Sequence, residues 1–377
     1  MPSPVRADFS ALTRMTYLNL GTHGLMPEPA LERYLAATAR YEREGYFAHA
    51  ELEDERERAR ARLAALLGAP LEAIALTGNA NDGINLVAAG IAWRPGDEVL
   101  ISDQEHPAIE NPFGYLARTG RITLRRFAIG ADPEESLANL EAAISPQTRL
   151  VAASNVSSQT GARLPAAAAT ALAHARGAQI LVDATQALGQ IPLDVTAIGC
   201  DYLVSNGHKW LLGPKGTGLL YVRPERLEEL RPAHVGAGSL LEGVTPPTLR
   251  PTAARFEFGT RALPVWAGMN ATLDWWESRG MLPLQAHMAT MAAAFKARAA
   301  DHPRLTLLTP QPWEHSSSMA SIRVAGFPDP YALLRALWAR EVVVRAVPEL
   351  GAIRISLAPF TDEGDLDRLF AALDELA

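Results

Sequence analysis

The sequence has a single cysteine, Cys200, so an internal disulfide framework and a paired-cysteine redox site are both excluded. A lone thiol fits a reducing compartment, and with no apolar run across Met1–Arg6 to suggest a signal peptide, a cytoplasmic protein is expected. No stretch approaches the roughly 20 consecutive apolar residues of a membrane helix, and the alanine-rich segment near 165–175 contains His174 and runs into Arg176. A basic excess is missing as well: with a net charge of −7 and a pI near 5.8, neither nucleic acid nor an anionic membrane is the expected partner. The order GxGxxG is absent, and Gly213–Gly218 lacks the GxxxxGK[ST] order, so dehydrogenase and kinase readings have no support. Nine histidines are scattered without HExxH or cysteine-pair spacing, and no metal site is expected.

What is present is a long, apolar chain. At 377 residues and 48% hydrophobic, it can bury a large core and reads as two domains. Short apolar runs at 73–77, 98–103, 149–156, 179–184 and 202–206 are separated by helical patterns, among them 165–176. Such alternation predicts a mostly parallel sheet. Pro27 and Pro29 open a helix after a short strand at 16–20, and 51–67 is a charged helix whose ion run is a solvated face. From Pro264 the pattern changes to helices at 264–279 and 284–300, strands at 305–309 and 319–324, a helix at 328–341, strands at 342–347 and 352–357, and a closing helix at 363–376. The expected boundaries are an N-terminal arm at 1–16, a large domain at 17–262 and a smaller α+β domain at 263–377.

The chemistry centres on two stretches, Ile180-Leu-Val-Asp-Ala-Thr-Gln186 and Ser205-Asn-Gly-His-Lys-Trp210. A lysine at the end of a buried strand is poorly hydrated, which favours its neutral amine, and a neutral amine forms a Schiff base with an aldehyde. The aldehyde that fits is pyridoxal 5'-phosphate (PLP), whose pyridine nitrogen must stay protonated to accept carbanion charge. Asp183 is placed to hold that proton: at about 4 Å and a dielectric near 20 a carboxylate favours the pyridinium by roughly 4 kcal/mol, or roughly three pKa units. Gln186 has an amide to donate to the ring hydroxylate.

Taken with their order, these motifs resemble the class V aminotransferase superfamily, PLP fold type I, which includes cysteine desulfurases, isopenicillin N epimerases and C–S lyases. The resemblance runs from Tyr17 to about Phe370. It implies an α/β fold with a mostly parallel, seven-stranded type of sheet, PLP as cofactor, a small amino acid as substrate, and a homodimer with shared active sites. It also implies that His106 stacks on the pyridine ring. The small-residue loop before the helix near 80, with Asn79, Ala80 and Asn81, would cradle the phosphate at a helix N-terminus, although Asn81 or Asp82 also reads as an ordinary helix cap. Thr260, in Arg255-Phe-Glu-Phe-Gly-Thr260, would reach the partner subunit's phosphate. Arg354 aligns with the arginine that binds the substrate carboxylate, with Arg345 as a second candidate. His23, in Gly21-Thr-His-Gly24, reads either as part of a turn or as a residue at the active-site mouth.

Two departures matter. Many desulfurases carry Asn where this chain has Ser158, so Ser158, Gln159 and Asn155 are all candidates for a contact to the ring hydroxyl. Asn206 stands where a Ser or Thr phosphate ligand is common, leaving Ser205 or His208 to reach the phosphate, and the Asn-x-His-Lys-Trp form is similar to isopenicillin N epimerases and related C–S lyases. Desulfurases also use a nucleophilic cysteine in the C-terminal domain, whereas Val344–Gly351 has none. The expected reaction is therefore β-elimination at a cysteine-derived amino acid by Lys209, with Asp183 and His106 on the ring. An epimerase is the alternative, followed by a transaminase, a desulfurase, and a PLP carrier without turnover.

Overall fold

The computed structural model describes residues 3–376. In chain order the strands are β1 (Thr16–Tyr17), β2 (Ile74–Thr77), β3 (Glu98–Ser102), β4 (Thr123–Phe127), β5 (Thr148–Ser154), β6 (Gln179–Asp183), β7 (Tyr202–Asn206), β8 (Gly218–Val222), β9 (Leu305–Leu307), β10 (Met319–Val324), β11 (Val342–Val343), β12 (Arg345–Val347) and β13 (Ala352–Ser356). The α-helices are α1 (Glu28–Glu44), α2 (His49–Leu66), α3 (Ala80–Gly90), α4 (Pro107–Arg118), α5 (Pro133–Ala143), α6 (Ala166–Ala175), α7 (Val195–Ile198), α8 (Pro264–Arg279), α9 (Met281–Asp301), α10 (Pro330–Trp338) and α11 (Glu363–Glu375).

A seven-stranded sheet in the order β2-β8-β7-β6-β5-β3-β4 forms the large domain. Its pairings are parallel except those that β8 makes with β2 and β7. The near-continuous apolar runs of β5 and β6 follow from burial on both faces: Val151 and Ile180 pack in one core and Leu150 and Leu181 in the other. The small domain is a four-stranded antiparallel sheet, β12-β13-β10-β9, over a third core that includes Phe295, Leu333 and Phe370.

Sequence periodicity located most of these strands and the C-terminal helices to within a few residues, yet two segments lie elsewhere than expected. Helix α8 packs on α1 and α2 and sends Trp266, Trp275 and Trp276 into the large-domain core, so the expected break at 262/263 does not separate two cores. Conversely, β1 pairs with β11 and Leu18 sits in the small-domain core. The segment expected as an arm is docked, with Phe9 between Trp275 and Phe360; residues 1 and 2 lie outside the described residues. Helices α4, α5 and α7 and strands β4 and β8 were not read from the sequence. No helix of the described residues is long and apolar enough to cross a membrane.

Candidate active site

The parallel strands place their C-terminal ends along one edge, where α/β sheets gather ligands. A cleft of about 470 Å³ opens there, with the small-domain stretch Arg345–Glu349 and Arg354 as its opposite wall. Lys209 follows the end of β7, is buried, and lines the cleft. Burial and then the charge of Arg354 push its amine down to about 8, against the pull of Asp183. The turn that holds it is tight: Gly213 N–H donates to the Gly207 carbonyl (2.8 Å), and a Cβ on Gly207 would meet Thr217 Oγ1 at 2.4 Å. Leu212 takes φ +65°, a strained value for a leucine, immediately beyond the lysine.

Asp183 ends β6. Its Oδ1 accepts from Thr185 N–H (2.8 Å), leaving the second carboxylate oxygen for a ligand. Gln186 is already half engaged, accepting from Trp210 Nε1 (2.8 Å) and donating to the Gly21 carbonyl (2.9 Å), so one amide hydrogen remains for a ring oxygen. His106 caps α4, and its Nδ1 accepts from Ala108 N–H (3.0 Å), which puts the proton of the neutral ring on Nε2. Desolvation in the cleft and the charge of Lys209 hold it below the usual histidine range. Before it in the chain, and also lining the cleft, is Glu105. This carboxyl is buried, accepts from Ser102 Oγ (2.6 Å), Ser154 Oγ (2.6 Å) and Ser154 N–H (3.0 Å), and is pushed up to about 7 by burial.

At the α3 end the cap is Asn79, which accepts from Asp82 N–H (3.0 Å), not Asn81 or Asp82. Ala80 N–H donates to Asn206 Oδ1 (2.8 Å), tying this loop to the end of β7 and leaving the Asn206 NH2 group for a ligand. His208 lines the cleft beside His23 at 6.0 Å between ring centroids, and burial, then Lys209, push it down to about 4. Burial, then Lys215, Lys209 and Arg345 likewise lower His23. Asn79, Ala80, Asn81, Ser158 and Gln159 all line the cleft, whereas Asn155 does not. Ser205 does not reach it either: its hydroxyl donates to the Ala184 carbonyl (3.2 Å) inside the sheet, because alternation along β7 turns it inward. Thr260 lines a separate hollow with Asp82, Leu86 and Phe258, away from the Lys209 cleft of its own chain.

Arg354 is buried with no carboxylate partner among the described residues. Its Nη1 donates to the Ser158 carbonyl (2.6 Å), its Nη2 to Thr22 Oγ1 (3.1 Å), and its Nε is buried and unpartnered. Thr22, unread in the sequence, thus orients the arginine.

These residues fit PLP: an amine of lowered pKa, an acid with one free oxygen, an imidazole and a helix N-terminus converge on one cleft. Among the described residues, three buried polar atoms of the cleft, Thr185 Oγ1, His208 Nδ1 and Arg354 Nε, have no protein partner, which suits a polar ligand. Thr185 lies inside a motif quoted from the sequence, but its free hydroxyl shows only in three dimensions.

The family model Aminotransferase class-V matches residues 28–369. The chain belongs to the class V aminotransferase family. It is a PLP-dependent enzyme with the fold type I architecture. It is 36% identical over 374 residues to the isopenicillin N epimerase of Streptomyces clavuligerus, covering 95% of this chain and 94% of that one. It is 33% identical over 402 residues to a probable cysteine desulfurase of Pseudomonas aeruginosa, covering 99% and 98%. Among solved structures, the cystine C–S lyase C-DES with its reaction product cysteine persulfide superposes with a TM-score of 0.91 at 29% identity, covering 97% of this chain and 98% of that one. A variant of C-DES with glycine covalently linked to its PLP cofactor gives 0.92 at 29% identity, covering 98% and 99%.

Proposed function

We propose that this class V enzyme is a lyase that cleaves the C–S bond of a cysteine-derived amino acid, using no cysteine nucleophile of its own. One observation carries the reading: the cleft has no thiol. Cys200 is fully buried before β7, burial pushes its thiol up to about 12, and the rim segment that faces Lys209 contributes Ala346, Val347, Pro348 and Glu349. A persulfide-forming desulfurase needs an accessible thiolate; β-elimination does not. The likeness to the cystine C–S lyase C-DES supports the same reading.

PLP, when bound, supplies the electron sink that makes the Cα–H bond acidic. The residues of the chain do the rest. With the cofactor bound, Asp183 would hold a proton on the ring nitrogen, His106 would cover the ring face, Gln186 would meet the ring oxygen, and the α3 N-terminus, Asn206 and His208 would receive the phosphate. Arg354 grips the α-carboxylate through its free Nε and its Nη2. Lys209, neutral in a large fraction near pH 8, would take the Cα proton. The electrons of that bond replace the Cβ–S pair, and sulfur departs as a thiolate, or as a persulfide when the substrate is a disulfide.

Two copies complete the enzyme in this reading. Thr260 lies in a hollow with Phe258 and Leu86, outside its own cleft, and the exposed Tyr46 and Phe47 at the α1–α2 corner offer further apolar surface to a second copy. The competing reading is an amino-acid epimerase, which the 36% identity to the Streptomyces clavuligerus enzyme favours. Pyruvate release from cystine and from cysteine S-conjugates tests the lyase directly; a folded, PLP-loaded dimer that releases none from any of them contradicts it.

A further inference from the structure

The loop after β5 carries Ser158 and Gln159 on the cleft wall, and its four successive carbonyls meet four side chains of the small domain. Ser158 O accepts from Arg354 Nη1, Gln159 O from Ser321 Oγ, Thr160 O from Thr309 Oγ1, and Gly161 O from Ser317 Oγ (3.1 Å). Two of these hydroxyls are themselves braced: Thr309 Oγ1 accepts from Ser321 N–H (2.8 Å) and Ser317 Oγ from Met319 N–H (3.2 Å). The donors of the loop face the other way. Gln159 and Thr160 N–H donate to Ser157 Oγ, and Ser157 and Thr160 hydroxyls both donate to Gln104 Oε1 of the large domain. Gly161 closes the seam at φ +74°, where a Cβ would meet the Met319 carbonyl oxygen at 2.6 Å.

We infer that Thr309, Ser317 and Ser321 are positioning residues that fix the 158–161 loop so that the Ser158 carbonyl aims Arg354 at a substrate carboxylate. The inference rests on the reading of Arg354 as the carboxylate-binding residue. Among the described residues nothing else holds that corner of the guanidinium: Nη1 has the Ser158 carbonyl as its partner, Nη2 has Thr22, and no acid pairs with the group. A buried guanidinium free to swing loses the fixed fork on which bidentate recognition depends. Three neutral hydroxyls, none of them lining the cleft, therefore govern how well the enzyme holds an α-carboxylate while leaving its grip on an amine alone.

The experiment compares two amines, glycine and ethylamine, titrated into the PLP-loaded enzyme and read from the cofactor's visible absorbance. Hydrogen exchange over 157–163 is measured in the cofactor-free protein. Ser321→Ala, which removes one hydrogen bond, should weaken glycine about fivefold, and Thr309→Val, which removes two, should weaken it at least as much; both should leave ethylamine unaltered and speed exchange in that segment. Thr309→Ser, which keeps the hydroxyl, should restore both readouts. Equal weakening of the two amines, or glycine binding unchanged while exchange accelerates, would overturn the inference and leave the residues with a merely structural role. If Thr309→Val does not fold, Ser321→Ala and Thr309→Ser carry the comparison. Arg354→Gln separates the two levels. Should it fail to weaken glycine relative to ethylamine, the carboxylate reading itself falls and takes the inference with it.

Discussion

Arg345 on β12 and Arg354 on β13 stand directly opposite each other in an antiparallel pair, and neither has a carboxylate partner among the described residues. Like charges so placed repel, and the repulsion, after burial, pushes the Arg354 guanidinium down to about 10. An anionic ligand relieves the pair. Both residues line the Lys209 cleft, with Arg354 deep and Arg345 at the exposed mouth.

A graded effect on substrates follows. Arg354→Gln should raise KM for every amino acid by about tenfold or more, the loss of a charge-assisted hydrogen bond. Arg345→Gln should do so mainly for substrates with a second carboxylate, such as cystine, and little for a monoacid S-conjugate. KM values for the two substrate types check this; an equal rise for both would place Arg345 on the α-carboxylate as well.

Lys209 sets the pH dependence. Its folded pKa of about 8 lies below the ordinary 10.5, so the folded state binds this proton less tightly than the unfolded one. The unfolded chain therefore holds more protons between pH 8 and 10.5, and cofactor-free stability should rise across that window. Lys209→Met removes this part of the slope. Urea unfolding of both proteins at pH 7.5, 9 and 10 compares them directly, Lys296, which is also lowered, being common to both. Lys209→Met should also cost about a thousandfold in turnover, within the range of a general base, and abolish the cofactor's Schiff-base absorbance.

Glu105 works with the opposite sign. Burial raises its pKa from 4.5 to about 7, so the folded state holds the proton more tightly and stability falls as pH rises between those values. Glu105→Gln should flatten that segment of the stability curve and leave the protein at least as stable as wild type at pH 8. A steeper loss at high pH in the variant would show that the charged form is the one the fold prefers.

Much of this site was legible because it is local. A buried strand that ends in an acid, and another that leads into His208-Lys209, declare themselves by type and order, and the pattern of strands fixed which edge they share. Side-chain direction was harder: Ser205 and Asn206 are neighbours, but only Asn206 reaches the cleft, since one residue along a strand reverses the face. The home of α8 was illegible too, because its tryptophans mark a buried helix without saying in which core. The seam at 158–161 leaves no trace in the sequence at all, since its acceptors are backbone carbonyls.

Cys200 gives the next expectation. As a fully buried thiol outside the cleft, it contributes packing only. Cys200→Ala should keep full activity and lose on the order of 1 kcal/mol of stability, a small cavity cost. Activity and thermal melts settle the matter; loss of turnover in a stable variant would restore the desulfurase reading.

The most direct measurement is proton NMR of the PLP-loaded enzyme in D₂O with cystine and cysteine S-conjugates, following the Cα position and the products together. The account predicts pyruvate and a released sulfur species, formed equally well by the Cys200→Ala variant. Survival of the amino acid with deuterium at Cα and mixed chirality would contradict it and make the enzyme an epimerase.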